Sequence, residues 1–291
     1  MKLFPNRSAA NALKGQSWAP RWWAVLLIGL ALWLASAADV YFTGNVIVLP
    51  TVVLLGSFLV PVAGVVWYLD HDPSPALSPR RILAAFILAG VIGVLAASIL
   101  EFWVVFGPGP IGNLKVGLIE ELVKGVAIVF VAWGIQSFSR RDGIVLGAAV
   151  GFGFAALESS GYALASLFVV QGTQLSLSFT SVVLTELVRG VLAPFGHGLW
   201  SAILGGAIFH AARNGRLRMS WGILVAYLGV SALHTAFDTF GGVPGYIVIS
   251  IIGLLPLVYL WWRGGRETGF SHPPSRVQEA TPAAPVEAGR P

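Results

Sequence analysis

Residues 143–169 read GIVLGAAVGFGFAALESSGYALASLFV, an apolar run in which Glu158 is the only charged side chain. A helix of about 20 mostly apolar residues is long enough to cross the hydrocarbon core of a bilayer. Soluble domains carry about 25% charged residues, whereas this chain has 11% charged and 56% hydrophobic residues. The sequence therefore predicts an all-α, polytopic membrane helical bundle, a multi-pass integral protein of the cell membrane.

Similar apolar runs recur along the chain, separated by short segments rich in Gly, Pro and charged residues, which are typical of turns. The tails 1–17 and 263–291 are polar or rich in Pro and Ala, and we expect both to be disordered. We predict eight transmembrane helices at about 22–38, 46–69, 82–100, 114–137, 143–169, 189–211, 219–240 and 244–262.

The distribution of Lys and Arg predicts the orientation of these helices, because basic residues concentrate in cytoplasmic segments. If the N-terminus is cytoplasmic, every basic residue except Lys115, Lys124 and Arg189 falls on the cytoplasmic side. We therefore predict that both termini, and both tails, are cytoplasmic. The basic residues are scattered singly rather than gathered in a patch, so the bilayer is an expected partner and nucleic acid is not.

Ionisable side chains interrupt four consecutive predicted spans. Such a group at the centre of a membrane helix costs about 2.5–3.5 kcal/mol, so it is retained mainly where it has a function. Counting from the predicted loops at about 1.5 Å per helical residue puts all four spans' groups in one layer, in the outer half of the bilayer. We therefore predict one polar site inside the bundle. Its members are Glu120, Glu121, Glu158, His197, His234 and Asp238.

The spacing of these residues predicts some of their contacts. Lys124 follows Glu120 by four positions and Glu121 by three, so it can neutralise one of them. The two glutamates are 100° apart around a helix and are not expected to face the same point. His234 and Asp238 are four apart and share a helix face, so the carboxylate can orient the imidazole. Each group also has a simpler interpretation, as a self-neutralised Glu–Lys pair, a proton site or a core histidine.

Four ordered motifs connect these residues to a known family. They are E-E-x-x-K at 120–124, F-x-x-x-E at 154–158, R-x-x-x-x-x-x-x-H at 189–197 and H-x-x-x-D at 234–238. This set resembles the PrsW family of intramembrane proteases, within a wider group that includes CAAX prenyl endopeptidases and bacteriocin-immunity-type membrane proteases. The resemblance implies that 110–262 is a PrsW-like catalytic helical bundle and that 18–109 forms three accessory transmembrane helices.

The resemblance also implies an activity. The expected reaction is hydrolysis of a peptide bond in a membrane-tethered protein near the extracytoplasmic side, as the first cleavage in a signalling pathway, with an anti-sigma-like protein as the expected partner. By likeness to the CAAX-type relatives, Glu120 would be the base, and His234 with Asp238 would polarise the carbonyl. The expected catalytic set is the six residues of the polar site, supported by Lys124 and Arg189.

Two departures from the relatives leave the chemistry open. Glu158 stands where the CAAX-type relatives have a water-activating histidine, and an ionised Asp238 cannot donate a hydrogen bond to an oxyanion. Both departures are compatible with a zinc ion held by His197, His234 and Glu158, because a catalytic zinc needs three protein ligands and an open position. The sequence is compatible with either a metal-dependent or a glutamate-dependent peptidase.

Two other classes of function fit the same residues. A proton-coupled transporter or channel would use Glu and His as a relay, and a maturation or immunity factor would bind a partner without cutting it. A relay needs its groups strung across the membrane, whereas a peptidase needs them around one point. A factor that only binds would tolerate loss of Glu120.

Overall fold

The computed structural model of the chain describes residues 21–71, 74, 76–135, 137–212 and 215–267. The expected tail 1–17 and residues 268–291 of the expected tail 263–291 lie outside the described residues. The helices are α1 (Trp22–Thr43), α2 (Leu49–His71), α3 (Pro79–Val104, with a wider π turn at Ala89–Gly93), α4 (Pro110–Val131), α5 (Arg140–Ser166), α6 (Phe179–His210), α7 (Trp221–Phe240) and α8 (Gly242–Glu267). Two strands, β1 (Phe168–Gln171) and β2 (Gln174–Leu177), lie between α5 and α6.

Serine caps mark where several of these helices begin. The side chains of Ser78, Ser139, Ser178 and Ser220 each accept a hydrogen bond from the backbone N–H three residues further on. Such a cap satisfies one of the N–H groups that a helix start leaves without an intrahelical partner. The helix starts are therefore encoded locally, in the turns between the apolar runs.

Two hydrogen bonds show how α3 and α4 pack against each other. Lys115 Nζ, near the start of α4, donates to Val104 O at the end of α3 over 3.0 Å. At the opposite end of the same pair, Arg81 Nη1 donates to Val131 O over 3.1 Å. Helices α3 and α4 therefore run antiparallel along their whole length.

Among the described residues, seven helices are long and apolar enough to cross a membrane. They are all the helices named above except α4, which is 22 residues long but includes Lys115, Glu120, Glu121 and Lys124. An all-α polytopic membrane protein is therefore confirmed. Eight spans were expected, and the one that is not among these seven is the predicted span 114–137, which corresponds to α4. Its charged residues exclude it when spans are identified by composition.

A short β-hairpin is the exception to an all-helical chain. Phe168 pairs with Leu177 and Gln171 with Gln174, and Gly172, at φ 62°, supplies the left-handed residue of the turn. The sequence predicted a helix to residue 169, but α5 ends at Ser166. A short run such as LFVV is ambiguous between helix and strand, because both structures accept it.

Helices α5 and α6 form the centre of the bundle. Glycines on α5 allow the two backbones to approach closely: a Cβ atom added to Gly147 would overlap Ser201 O, and one added to Gly151 would overlap His197 O. Small residues at such crossings are a general feature of helix packing in membranes. This contact fixes the position of His197 relative to α5, and hence relative to Glu158.

Candidate active site

A buried lysine lies at the centre of the polar site. Lys124 Nζ donates to Glu120 Oε2 over 3.0 Å and to Glu121 Oε1 over 2.8 Å, and it lies 2.7 Å from His197 Nδ1. Its three ammonium hydrogens therefore each have an acceptor. The expectation that Glu120 and Glu121 face different points was wrong, because Lys124 contacts both of them. Both side chains are long enough to converge on Lys124 from different angles around α4.

His197 lies between this lysine and a second ion pair. Because an ammonium group can only donate, His197 Nδ1 accepts from Lys124 and the proton of the neutral ring is on Nε2. That nitrogen lies 3.0 Å from Glu158 Oε2. The same carboxylate oxygen lies 2.9 Å from Arg189 Nη2. Arg189 thus holds Glu158, and Glu158 holds the outer nitrogen of His197.

His234 occupies the corresponding position on the other side of Glu120. Its Nδ1 is hydrogen-bonded to Glu121 Oε1 over 3.0 Å. Its Nε2 lies 3.7 Å from Glu120 Oε2 and 3.4 Å from Asp238 Oδ2. A ring nitrogen facing two carboxylate oxygens requires a positive charge between them, provided either by a proton or by a cation.

The structure brings all of the sequence-predicted residues together in one connected set of contacts. The positions differ from the expectation in a second respect, which concerns the metal. Ligand atoms of Glu120, His197 and His234 all lie within 4.8 Å of one another, and this is the group of described residues that could hold a metal ion. The expected set contained Glu158 in place of Glu120, but Glu158 lies against the outer nitrogen of His197 and pairs with Arg189.

The chemistry of this group fits a divalent metal ion. Glu120 Oε2 lies 3.8 Å from His197 Nδ1 and 3.7 Å from His234 Nε2, near the separation of about 3.4 Å that follows from tetrahedral zinc with bonds of about 2.1 Å. Metal-binding histidines usually have their second nitrogen held by a carboxylate or carbonyl, and here Glu158 and Glu121 occupy those positions. An ion bound at His197 Nδ1 would replace that nitrogen's contact with Lys124.

An aromatic wall closes one side of the site, and sequence reasoning missed its main member. Trp200 is fully buried, stacks on His234 at 4.8 Å between ring centroids and contacts His197 edge-on at 5.5 Å. Phe154 lies 5.6 Å from His197, with Lys124 Nζ 4.2 Å from the Phe154 ring centre. Trp200 follows His197 by three positions on one helix face, which is the signal that could have identified it.

Two further carboxylates were also missed. Glu186 on α6 is buried, with its two oxygens 2.9 and 3.1 Å from Ser57 Oγ on α2. This contact links an accessory helix to the helix that carries His197. Glu101 near the end of α3 is half-buried, interacts electrostatically with Glu158, and has an Oε1 atom with no hydrogen-bond partner among the described residues.

Comparison with known proteins now places these motifs in a family. The chain matches the family described as "PrsW family intramembrane metalloprotease" over residues 78–262, from the start of α3 to near the end of α8. It is 28% identical to Protease PrsW of Halalkalibacterium halodurans over 147 residues, which is 50% of this chain and 60% of that relative. It is 25% identical to Protease PrsW of Geobacillus kaustophilus over 216 residues, which is 70% of this chain and 85% of that relative.

No solved structure matches the chain. The alignment with the Halalkalibacterium halodurans relative spans less than two thirds of that relative's length. The family match, in contrast, extends over more than half of this chain and includes all four motifs together with the helices that carry them. The chain therefore belongs to the PrsW family of intramembrane metalloproteases.

Proposed function

We propose that this chain is an intramembrane peptidase that hydrolyses a peptide bond of a membrane-tethered protein. One observation carries the proposal: Glu120, His197 and His234 meet at one point, buried inside the helical bundle, with a carboxylate behind each histidine. A proton relay would string such groups across the membrane. Their gathering around one point favours hydrolysis over transport.

The proposed topology has eight spans with both termini in the cytoplasm. Helix α4 supports the eighth span, because it lies antiparallel to α3 over its full length. Its charged residues Glu120, Glu121 and Lys124 are buried against the other helices rather than facing lipid. The site then lies in the extracytoplasmic half of the bilayer, since His234 is six residues, or about 9 Å, from the extracytoplasmic end of α7.

The proposed metal ligands are Glu120, His197 and His234. A divalent ion held by them would supply Lewis acidity toward a water molecule and a carbonyl oxygen. Glu158 and Glu121 fix the orientation of the two rings by holding their outer nitrogens. Trp200 and Phe154 exclude water from the inner side, so charges in the site interact through a low dielectric.

Asp238 is the proposed proton acceptor. Its side chain is 31% exposed, whereas the side chains of Glu120, His197 and His234 are each 6% exposed or less. Asp238 therefore lies on the open side of the site, where substrate and water enter. It takes a proton from the attacking water and returns it to the amine nitrogen as the peptide bond breaks. This role replaces the expected one, carbonyl polarisation, which an ionised carboxylate cannot perform.

The proposed substrate is a membrane-tethered protein cut near the extracytoplasmic side, with an anti-sigma-like protein as the specific candidate. The site's position near the extracytoplasmic ends of α4 and α7 supports a cut on that side. Such a cleavage would be the first step of a signal that begins outside the cell and ends in transcription.

The test is cleavage by the purified protein in nanodiscs, assayed by mass spectrometry on a panel of tethered model substrates, with metal analysis of the same samples. We expect wild-type protein to cleave and to contain a divalent metal. We expect Asp238→Asn to contain the same metal and not to cleave. Unimpaired cleavage by Asp238→Asn would refute the assigned proton acceptor, and unimpaired cleavage by His234→Ala would refute the site itself.

A further inference from the structure

The hairpin of β1 and β2 has no role in the site described above. It nevertheless joins α5, which carries Glu158, directly to α6, which carries Arg189 and His197. It lies at the same end of the bundle as the start of α4 and the end of α7, which is the end closest to the site. It therefore lies at the end of the bundle from which a substrate would reach the proposed site.

The hairpin has one apolar face and one largely polar face. Side chains alternate along a strand, and residues paired across two strands lie on the same face. The pairing of Phe168 with Leu177 and of Val170 with Leu175 therefore puts four apolar side chains on one face. All four are between 56% and 69% exposed. The other face carries Val169, Gln171, Gln174 and Ser176.

The backbone of the same four residues is also unpaired. Ser178 N donates to Leu167 O over 2.8 Å, and hydrogen-bonded pairs alternate with non-hydrogen-bonded pairs along an antiparallel ladder. The next pair along the ladder, Phe168 with Leu177, is therefore a non-hydrogen-bonded one, and so is the pair of Val170 with Leu175. Their N–H and C=O groups point outward, one pair of residues at each edge of the hairpin, and have no backbone partner among the described residues.

These edges lack the usual protection against pairing. Natural proteins guard exposed edges with charged residues, prolines or bulges, but no charged residue and no proline occurs between Glu158 and Glu186. If the hairpin lay in the lipid, the N–H and C=O groups along its edges would remain without partners, because lipid chains form no hydrogen bonds. An extended peptide satisfies them and covers part of the apolar face as well.

We propose that a free edge of this hairpin binds the substrate as an added β-strand. The bound part of the substrate is an extended, uncharged and apolar segment next to the bond that is cut. This inference rests on the proposed function, since a peptide bond must be unwound from a helix before it can be hydrolysed. Phe168 lies ten residues after Glu158, and eight of the ten steps are helical, equivalent to about 12 Å. An extended chain covers that distance in about four residues.

A binding assay tests the proposal without requiring cleavage. The protein is the full chain carrying Asp238→Asn, reconstituted in nanodiscs. The probe is a fluorescein-labelled peptide of ten alternating Val and Thr residues. Its matched control is the same peptide with every amide N-methylated, which has no N–H group to donate to a strand edge. We expect the control to bind about tenfold more weakly than the probe, as loss of one or two hydrogen bonds predicts.

Two pairs of protein variants test the two edges. Val170→Pro and Leu175→Pro each remove one outward N–H group without breaking the ladder, and edge strands tolerate proline. Val170→Thr and Leu175→Thr change the same side chains but keep the N–H group and the strand propensity. We expect one proline variant to weaken probe binding about tenfold and both threonine variants to bind like the parent. In cleavage of a tethered substrate, the same proline change should raise KM and leave kcat unchanged.

Several outcomes would overturn the proposal. Equal binding of the probe and its N-methylated control would do so, as would unchanged binding in both proline variants. Tryptophan quenching by brominated lipids that is stronger in Phe168→Trp than in the parent, and that the probe does not relieve, would assign the apolar face to the bilayer. Conversion of a dimer to a monomer by Val170→Pro would assign the edge to a second copy of the chain. Edge-dependent binding by a protein that cleaves nothing would uphold the docking edge and refute only the peptidase function.

Discussion

The central and peripheral helices of this bundle are all apolar enough to cross a membrane, with mean hydropathies of 1.5 and 1.4 in α5 and α6 and of 1.9 and 2.1 in α1 and α8, but they differ in their surroundings. In α5 and α6, 72% of the central 18-residue window is buried, whereas in α1 and α8 the share is 11%. The central pair carries Glu158, Arg189 and His197, while the peripheral pair contributes nothing to the site. Hydropathy therefore identifies which segments enter the membrane, and the charged residues identify which of them lie in the middle.

The largest effect should come from the proposed metal ligands. We expect Glu120→Gln and His234→Ala each to lower kcat/KM about a thousandfold or more, in keeping with loss of a catalytic metal or of the group that activates water. Both variants should also lose bound metal, because three protein ligands is the usual minimum. Mass spectrometry of cleavage products and metal analysis measure the two effects. A Glu120→Gln protein that kept its metal would return Glu120 to the role of base.

Substitution of Ile251 in α8 is the matched control for these variants. Its side chain is 56% exposed and faces the lipid side of a peripheral helix, so Ile251→Ala should leave both cleavage and metal content unchanged.

A packing change in the central pair should have the next largest effect. Gly147→Val would drive a side chain into the backbone of Ser201 on α6, and overpacking of this kind costs about 1–3 kcal/mol or more. Leu27 on α1 is 57% exposed, and Leu27→Val should cost close to nothing. The midpoint of thermal unfolding in detergent compares the two. Equal midpoints would show that burial in the centre does not govern stability here.

The arginine that holds Glu158 should have a smaller effect. Arg189→Gln removes the ion pair at 2.9 Å, and loss of such an outer partner typically lowers activity or metal affinity 10- to 100-fold. We expect a loss in that range, with weaker metal binding, and partial recovery in Arg189→Lys. If Arg189→Gln lowered only the expression level and left metal affinity intact, Arg189 would be a structural residue.

The smallest expected effect concerns the contact between the accessory and central helices. Glu186→Gln keeps a hydrogen-bonding partner for Ser57. Glu186→Ala leaves the Ser57 hydroxyl without that partner and leaves a cavity where the carboxylate was. We expect a destabilisation of about 1–3 kcal/mol for Glu186→Ala and less for Glu186→Gln. Chemical unfolding in detergent measures both. The reverse order would mean that the carboxylate's charge, not its hydrogen bond, is what the contact needs.

Much of this architecture was predictable from the isolated ionisable residues in the apolar runs, because such side chains must be buried against one another rather than exposed to lipid. Glu158, His197 and His234 were expected to meet, and they lie in one connected set of contacts. The prediction that Glu120 and Glu121 face different points failed, because helix geometry fixes the direction of each Cβ atom but not the position of the end of a long side chain. Glu186 was missed because the predicted span began at residue 189, which left Glu186 outside it, and because its partner Ser57 is remote in sequence.

The hairpin and the status of α4 were the least predictable features. LFVV reads as the end of a helix until its strand partner, Gln174–Leu177, is known. Helix α4 contains too many charged residues to be identified as a span from its composition. The charges are nevertheless paired with one another and with groups on other helices, and the composition of a single segment does not show such pairing.

The three charged residues at the middle of α4, Glu120, Glu121 and Lys124, also bear on how the chain reaches the membrane. Lys124 lies within one turn of both Glu120 and Glu121, and its contacts with them need no other helix. Membrane insertion handles helices one or two at a time, before a bundle exists to shield a charge. Because Lys124 travels on the same helix, the group of Glu120, Glu121 and Lys124 enters with one net negative charge instead of two. The helix that carries most of the charged residues of the site can therefore insert before the other helices surround it.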